Sequence, residues 1–158
     1  MSPSTPPRIP LDGRRIRAAV IGAGAIGRGS HLPALQQLAA EGETEVVAAV
    51  DIDATAVREF CADGGVPHAY TDLERMLAEQ RPDLVTICTP PTLHREQSVA
   101  ALRAGAWVWC EKPPVPTLAD YAAVEAEEGA QGGPYSSIVF QHRFGSGTRH
   151  VRRVTFSS

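Results

Sequence analysis

Residues 16–29 read "IRAAVIGAGAIGRG". Ile16 to Ile21 is a short apolar run broken only by Arg17, and it leads into three glycines spaced as G-x-G-x-x-G: Gly22, Gly24 and Gly27. An apolar run of this length ended by glycines is the pattern of a buried strand. Ala25 to Ala40 then suits a helix, with Pro33 restarting it after His31. Strand, glycine turn and helix in that order make a place for a pyrophosphate. Gly22 permits the tight turn, Gly24 lets backbone approach the phosphates, and Gly27 lets helix pack on strand. The helix N-terminus, with Ala25 and Ile26 at its start, supplies N–H donors and positive potential.

Further along, Glu45 to Val50 is a second apolar strand, and it ends on Asp51, 24 positions after Gly27. A carboxylate there accepts both hydroxyls of an adenosine ribose. A 2′-phosphate would meet the charge of Asp51 and that of Asp53, while Arg58, a counter-ion, sits on the following helix. The residues therefore favour NAD over NADP. Asp51 also suits a second role, capping a helix from Ile52 onward.

The alternation continues down the chain. A helix over Ala54 to Ala62 is stopped by Gly64-Gly65, and His68 to Tyr70 makes a short third strand. Thr71-Asp72-Leu73-Glu74 has capping-box spacing and opens a helix to Gln80. Leu84 to Cys88 is a fourth strand, ended by Thr89-Pro90-Pro91, and Thr92 caps a helix from Leu93 to Ala104. Ala106 to Cys110 is a fifth strand, Thr117 opens a helix to Glu128, and Tyr135 to Gln141 is a sixth strand. Near-continuous apolar strands alternating with amphipathic helices give an α/β doubly wound parallel sheet, the Rossmann fold. The expected organisation is one dinucleotide-binding domain over 15–145, a disordered tail over 1–14, and a linker over 146–158 toward a further domain.

Composition narrows the class. The 158 residues are 43% hydrophobic and 21% charged, the balance of a folded soluble domain. A net charge of −3 gives no basic footprint and argues against nucleic acid as partner. No run approaches the 18 apolar residues of a membrane span. Arg14-Arg15 before the apolar run mimics a twin-arginine export signal, but strand and glycine turn account for the same residues better. Cys61, Cys88 and Cys110 have no metal-ligand spacing; they read as reduced, buried thiols of a cytoplasmic protein. No metal site is expected.

Thr89, Pro90 and His94 fall where the fourth strand ends, on the ligand-facing edge of such a sheet, with His31 of similar standing. His142 and Arg143, past the sixth strand, point the same way. Lys112 has the strongest local setting. It is the only lysine in the chain, the other fourteen basic residues being arginine, and it stands in "CEKPP", Cys110 to Pro114, as the fifth strand ends. Pro113 and Pro114 stiffen the backbone and fix where the ammonium leaves it. A cis peptide before Pro113 would turn the lysine back over the cleft.

The segments "AAVIGAGAIGRGSHLPAL", "VVAAVDID", "PDLVTICTPPTLH" and "WVWCEKPPVPTLADY" follow one another in order. Together they resemble the N-terminal domain of the glucose–fructose oxidoreductase / inositol dehydrogenase / rhizopine-catabolism (Gfo/Idh/MocA) oxidoreductases. The Glu111-Lys112-Pro113 triplet is the specific element. The resemblance implies hydride transfer between NAD(P) and a sugar, polyol or related hydroxyl compound. It implies that Gly22, Gly24 and Gly27 form the pyrophosphate turn and that Asp51 holds the ribose. Thr89, Pro90 and His94 would line the cofactor cleft, and Glu111 and Lys112 would belong to the cofactor and substrate site, with Lys112 catalytic. A lysine, unlike an arginine, is a compact charge that orients a substrate hydroxyl and whose protonation an oxidised nicotinamide can tune.

The resemblance also implies a second α/β domain, carrying the acid/base residues and most contacts of a homo-oligomer. Nothing after Arg143 corresponds to it, so the 158 residues are expected to be catalytically incomplete alone. Two other readings stand beside this one. A non-catalytic NAD-binding module or regulatory subunit would use the same residues. An S-adenosylmethionine-dependent methyltransferase would also use a glycine turn and an acidic ribose ligand, but leaves the Glu111-Lys112-Pro113 triplet unexplained.

Overall fold

The computed structural model describes residues 13–133 and 135–139. Most of the expected tail, the far end of the sixth strand, His142, Arg143 and the linker lie outside the described residues. Six strands, β1 (Ile16–Ile21), β2 (Thr44–Val50), β3 (His68–Tyr70), β4 (Leu84–Ile87), β5 (Trp107–Cys110) and β6 (Ser136–Ile138), form one sheet. Every pairing is parallel and the order is β3-β2-β1-β4-β5-β6. The chain winds outward from β1 on one side and from β4 on the other, so the strand order reverses between β1 and β4. Ligands of open α/β sheets bind at that reversal, beyond the carboxyl ends of the strands.

The connections are α1 (Leu32–Ala40), α2 (Ala54–Gly64), α3 (Leu73–Gln80), α4 (Pro91–Arg103) and α5 (Leu118–Gln131). Alternate strand residues supply two separate cores. Ala18 and Val20 of β1 and Ala49 of β2 pack with Leu32 and Leu35 of α1 and Val57 and Phe60 of α2. Ala19, Ile21, Ala48, Val50, Val85, Ile87 and Val108 face the other way, onto Met76 and Leu77 of α3 and Ala101 and Leu102 of α4. A strand buried on both faces cannot alternate apolar with polar, which is why these strands read as continuous apolar runs.

The helix starts correct the sequence reading in detail. Asp72, not Thr71, caps α3, its side chain accepting Arg75 N–H at 2.9 Å. Thr92 caps nothing: α4 begins at Pro91, with Pro90 extended before it. A proline in the first turn lacks only an N–H that would have had no helical partner anyway. Asp53 caps α2 through Thr55 and Ala56 N–H, which leaves Asp51 free of that role. Thr117 caps α5 as expected, accepting Asp120 N–H.

The expected helix over Ala25 to Ala40 contains a wide π turn, Gly27–His31, closed by Leu32 N–H on Gly27 O, before α1 proper begins. Pro33 supplies the reason. In a regular α-helix it would have no N–H for the Gly29 carbonyl and its ring would crowd that carbonyl; a wider turn takes up the conflict.

Arg14, which the sequence reading placed in the tail, is held against the domain. Its guanidinium meets both oxygens of Asp83 at 2.8 and 2.7 Å, and Asp83 also accepts Arg17 N–H at 2.9 Å. Burial pushes the Asp83 carboxyl up, but the Arg14 guanidinium and the Arg17 amide outweigh it and hold the group below its ordinary value. No helix among the described residues is long and apolar enough to cross a membrane.

Candidate functional site

The glycine turn lies at the carboxyl end of β1 and its three glycines differ in what they meet. Gly22 has φ +101°, and a Cβ there would press on the backbone of Cys88 and Thr89 at 3.0–3.1 Å. A Cβ on Gly27 would run into the carbonyl oxygen of Gly22. Gly24 has nothing within 4 Å of where a Cβ would stand, so its outer side is open. The first helical hydrogen bond runs from Arg28 N–H to Gly24 O at 2.9 Å. The amides of Ala25 and Ile26 therefore precede the helical ladder, where they are presented to a ligand rather than to the helix.

Asp51 ends β2 beside this turn, half-buried. Its Oδ2 accepts Ala23 N–H at 2.8 Å and its Oδ1 accepts Asp53 N–H at 3.0 Å. Each carboxylate oxygen keeps a further lone pair, so the group is fixed in place and still able to accept from ribose hydroxyls. Arg58 is exposed and its side chain reaches back to Thr55, at 3.4 Å.

The second half of the site is the chain leaving β4 and β5. Thr89 is half-buried, its hydroxyl on Gln97 of α4, and Pro90 is exposed. The peptide bond between Lys112 and Pro113 is cis, as expected, and Lys112 is exposed. Here the reading of His94 needs correction. It is 0% exposed and does not line the cleft. Its Nδ1 lies 3.0 Å from Pro113 O and 3.2 Å from Pro114 O, and its Nε2 lies 2.7 Å from Thr89 O. His94 ties the loop after β5 to the end of β4 from behind. Sequence position alone put it in the first turn of α4 without saying which way the ring points.

One contact was not legible in the sequence. Glu111 Oε1 lies 2.9 Å from His31 Nε2, with side chains 14% and 7% exposed. Glu111 Oε2 accepts Lys112 N–H at 3.2 Å. Trp109 and the His31 ring pack edge to face, centroids 6.1 Å apart. Eighty residues separate His31 from Glu111, and no spacing rule joins them.

A cavity of about 350 Å³ opens between the glycine turn and this loop, bounded by Ile26, His31, Thr89, Trp109, Glu111 and Lys112. Cys88 also borders it; burial pushes the thiols of Cys88 and Cys110 up to about 12, so both are neutral and poor nucleophiles. A larger groove, about 940 Å³, lies at the opposite end of the sheet between α3 and α4. Several of its guanidinium groups already have carboxylates, Arg14 with Asp83 and Arg103 with Glu127. The glycine turn, Asp51 and Lys112 are not among the residues that line it.

Compared with known proteins, residues 16–137 match the family model described as "Oxidoreductase family, NAD-binding Rossmann fold", Gfo/Idh/MocA. The chain belongs to the Gfo/Idh/MocA family. That family's Rossmann fold is NAD-binding, and the geometry fits: an open Gly24, first-turn amides with no partner among the described residues and a fixed Asp51 stand where pyrophosphate and ribose would lie. Among curated Gfo/Idh/MocA relatives, D-glucoside 3-dehydrogenase of Escherichia coli is 30% identical over 87% of this chain and 38% of its own length. Inositol 2-dehydrogenase of Corynebacterium glutamicum is 26% identical over 91% and 42%. Among solved structures, the WlbA dehydrogenase from Bordetella pertussis, in complex with NADH and UDP-GlcNAcA, superposes with a TM-score of 0.84 at 26% identity. That superposition covers 91% of this chain and 43% of that one. The chain thus spans about two fifths of the length of these relatives.

Proposed function

We propose that this chain is the cofactor-binding part of an NAD-dependent oxidoreductase acting on a CH–OH group of a sugar, polyol or similar compound, with Lys112 as the residue that meets the substrate. What carries the reading is the shared cavity: Ile26 of the glycine turn and Lys112 border the same space of about 350 Å³. A cofactor with its pyrophosphate on the turn would extend into the space that Lys112 borders. Bound nicotinamide supplies the hydride acceptor or donor. Lys112 orients the substrate oxygen and stabilises negative charge on it as the C–H bond breaks. The names of the relatives, a glucoside dehydrogenase and an inositol dehydrogenase, support the substrate class.

The 158-residue polypeptide by itself binds NAD(H) and does not turn over. His94 is enclosed by backbone, and His31 and Glu111 hold each other, so among the described residues none of these is free to take the hydroxyl proton. A general base contributes about 100- to 10,000-fold in rate. Calorimetric titration with NADH, NADPH and S-adenosylmethionine, followed by an assay with NAD and inositol or glucose, tests both statements. Binding of NADH with no turnover is expected. Preference for S-adenosylmethionine refutes the oxidoreductase reading, and oxidation of inositol that vanishes in Lys112→Ala refutes the incompleteness.

A further inference from the structure

Glu111 leaves β5 still bound to the sheet, its N–H on Ile87 O at 3.0 Å. Its side chain then turns inward rather than to solvent. A carboxylate in so closed a place is costly unless its oxygens find donors. It finds two: the imidazole of His31 at Oε1 and the backbone N–H of Lys112 at Oε2. A carboxylate only accepts, so the His31 ring is the donor. His31 in turn is set by the π turn, of which it is the last residue, and by the edge contact with Trp109. The first residue of that same turn is Gly27, the third glycine of the cofactor site. One wide turn therefore begins at the pyrophosphate end of the site and ends at the group that holds the lysine loop.

The geometry points to His31 as a positioning residue for Lys112, acting through Glu111. It touches neither cofactor nor substrate in this role. It fixes the Glu111 carboxylate, and the carboxylate fixes the backbone from which the lysine departs. The functional value of this link rests on the proposed role of Lys112; its existence does not, and it can be measured without cofactor.

Because Lys112 is the only lysine, protein labelled with ¹⁵N-lysine shows one backbone amide signal from that position. Its chemical shift and its rate of exchange with solvent read the Glu111 contact directly. His31→Leu removes the donor at similar size, and the Lys112 amide is expected to shift and to exchange about fivefold faster, the worth of one ordinary hydrogen bond. His31→Gln keeps an N–H donor and is expected to restore the wild-type signal and a rate within about twofold. Should His31→Leu fail to fold, Glu111→Ala breaks the same link at its other end and is expected to move the signal likewise. An unchanged Lys112 signal in either loss variant, or a His31→Gln spectrum as displaced as that of His31→Leu, overturns the proposal. Failure of the chain to bind NADH would overturn the functional reading instead, and leave the His31 measurement intact.

Discussion

The Asp51 carboxylate, at the end of β2, accepts the backbone N–H of Ala23, inside the glycine turn that follows β1, at 2.8 Å. One side chain thus links the two places where a dinucleotide must be gripped. A 2′-phosphate at the ribose would face this fixed charge, and repulsion in a half-exposed site is worth about 1–2 kcal/mol. NADH is expected to bind about tenfold more tightly than NADPH. Asp51→Asn should reduce that ratio toward one by titration calorimetry; equal affinities in the wild type would count against Asp51 as the ribose ligand.

At Gly27 the demand is for absence of a side chain. A Cβ would need to share space with the Gly22 carbonyl, well inside the 3.0 Å that real Cβ contacts respect. Both partners are backbone, so relief requires the turn itself to move. Gly27→Ala is expected to weaken NADH binding by at least about tenfold, and to destabilise the fold by about 1–3 kcal/mol. Gly24→Ala, with open space around it, should leave stability within about 0.5 kcal/mol and impair only binding.

The Arg14–Asp83 contact sets an acid limit. The folded Asp83 carboxyl titrates below its ordinary value of 3.8. Its contribution to stability is therefore fully present above that value and is lost as pH falls through the lower, folded value. Asp83→Asn should cost about 1–2 kcal/mol at pH 7 by urea unfolding. The difference from wild type should stay constant down to about pH 4 and shrink below it. A difference that grows on acidification would contradict the assignment.

Cys88 and Cys110 should be inert as folded. With thiols pushed up to about 12, the thiolate fraction at pH 7 is on the order of one in 100,000. Iodoacetamide at neutral pH is expected to leave both unmodified by mass spectrometry of the native protein and to label them once urea unfolds it. Rapid native labelling at Cys88, which borders the cavity, would show a site more open than described.

Tyr135 carries a cost that a single atom would remove. Its hydroxyl is buried with no hydrogen-bond partner among the described residues, while its ring and that of Trp107 pack edge to face at 5.4 Å. An unsatisfied buried hydroxyl costs about 1–3 kcal/mol. Tyr135→Phe keeps the packing and should raise stability by about 1 kcal/mol in thermal or urea unfolding; a destabilised variant would mean that the hydroxyl has a partner.

What the sequence by itself determined is whatever follows from neighbours along the chain. Apolar runs such as Ile16 to Ile21, the spacing of Gly22, Gly24 and Gly27, and Asp51 at the end of a strand are local patterns, because burial on two faces, tight turns and helix N-termini are set by a few consecutive residues. The same locality explains the small errors: Asp72 rather than Thr71, and Pro90–Pro91 rather than Thr92, because neighbouring cap residues compete within one turn. The strand order, with its reversal between β1 and β4, came only with the packed sheet. So did the direction of two histidines. His94 looked toward the cleft by position and is turned into the backbone behind it; His31, of similar standing in the sequence, meets Glu111 across eighty residues. Contacts of that range depend on how helix and strand are laid against each other, and the π turn that carries His31 inward is not marked by any spacing in the sequence.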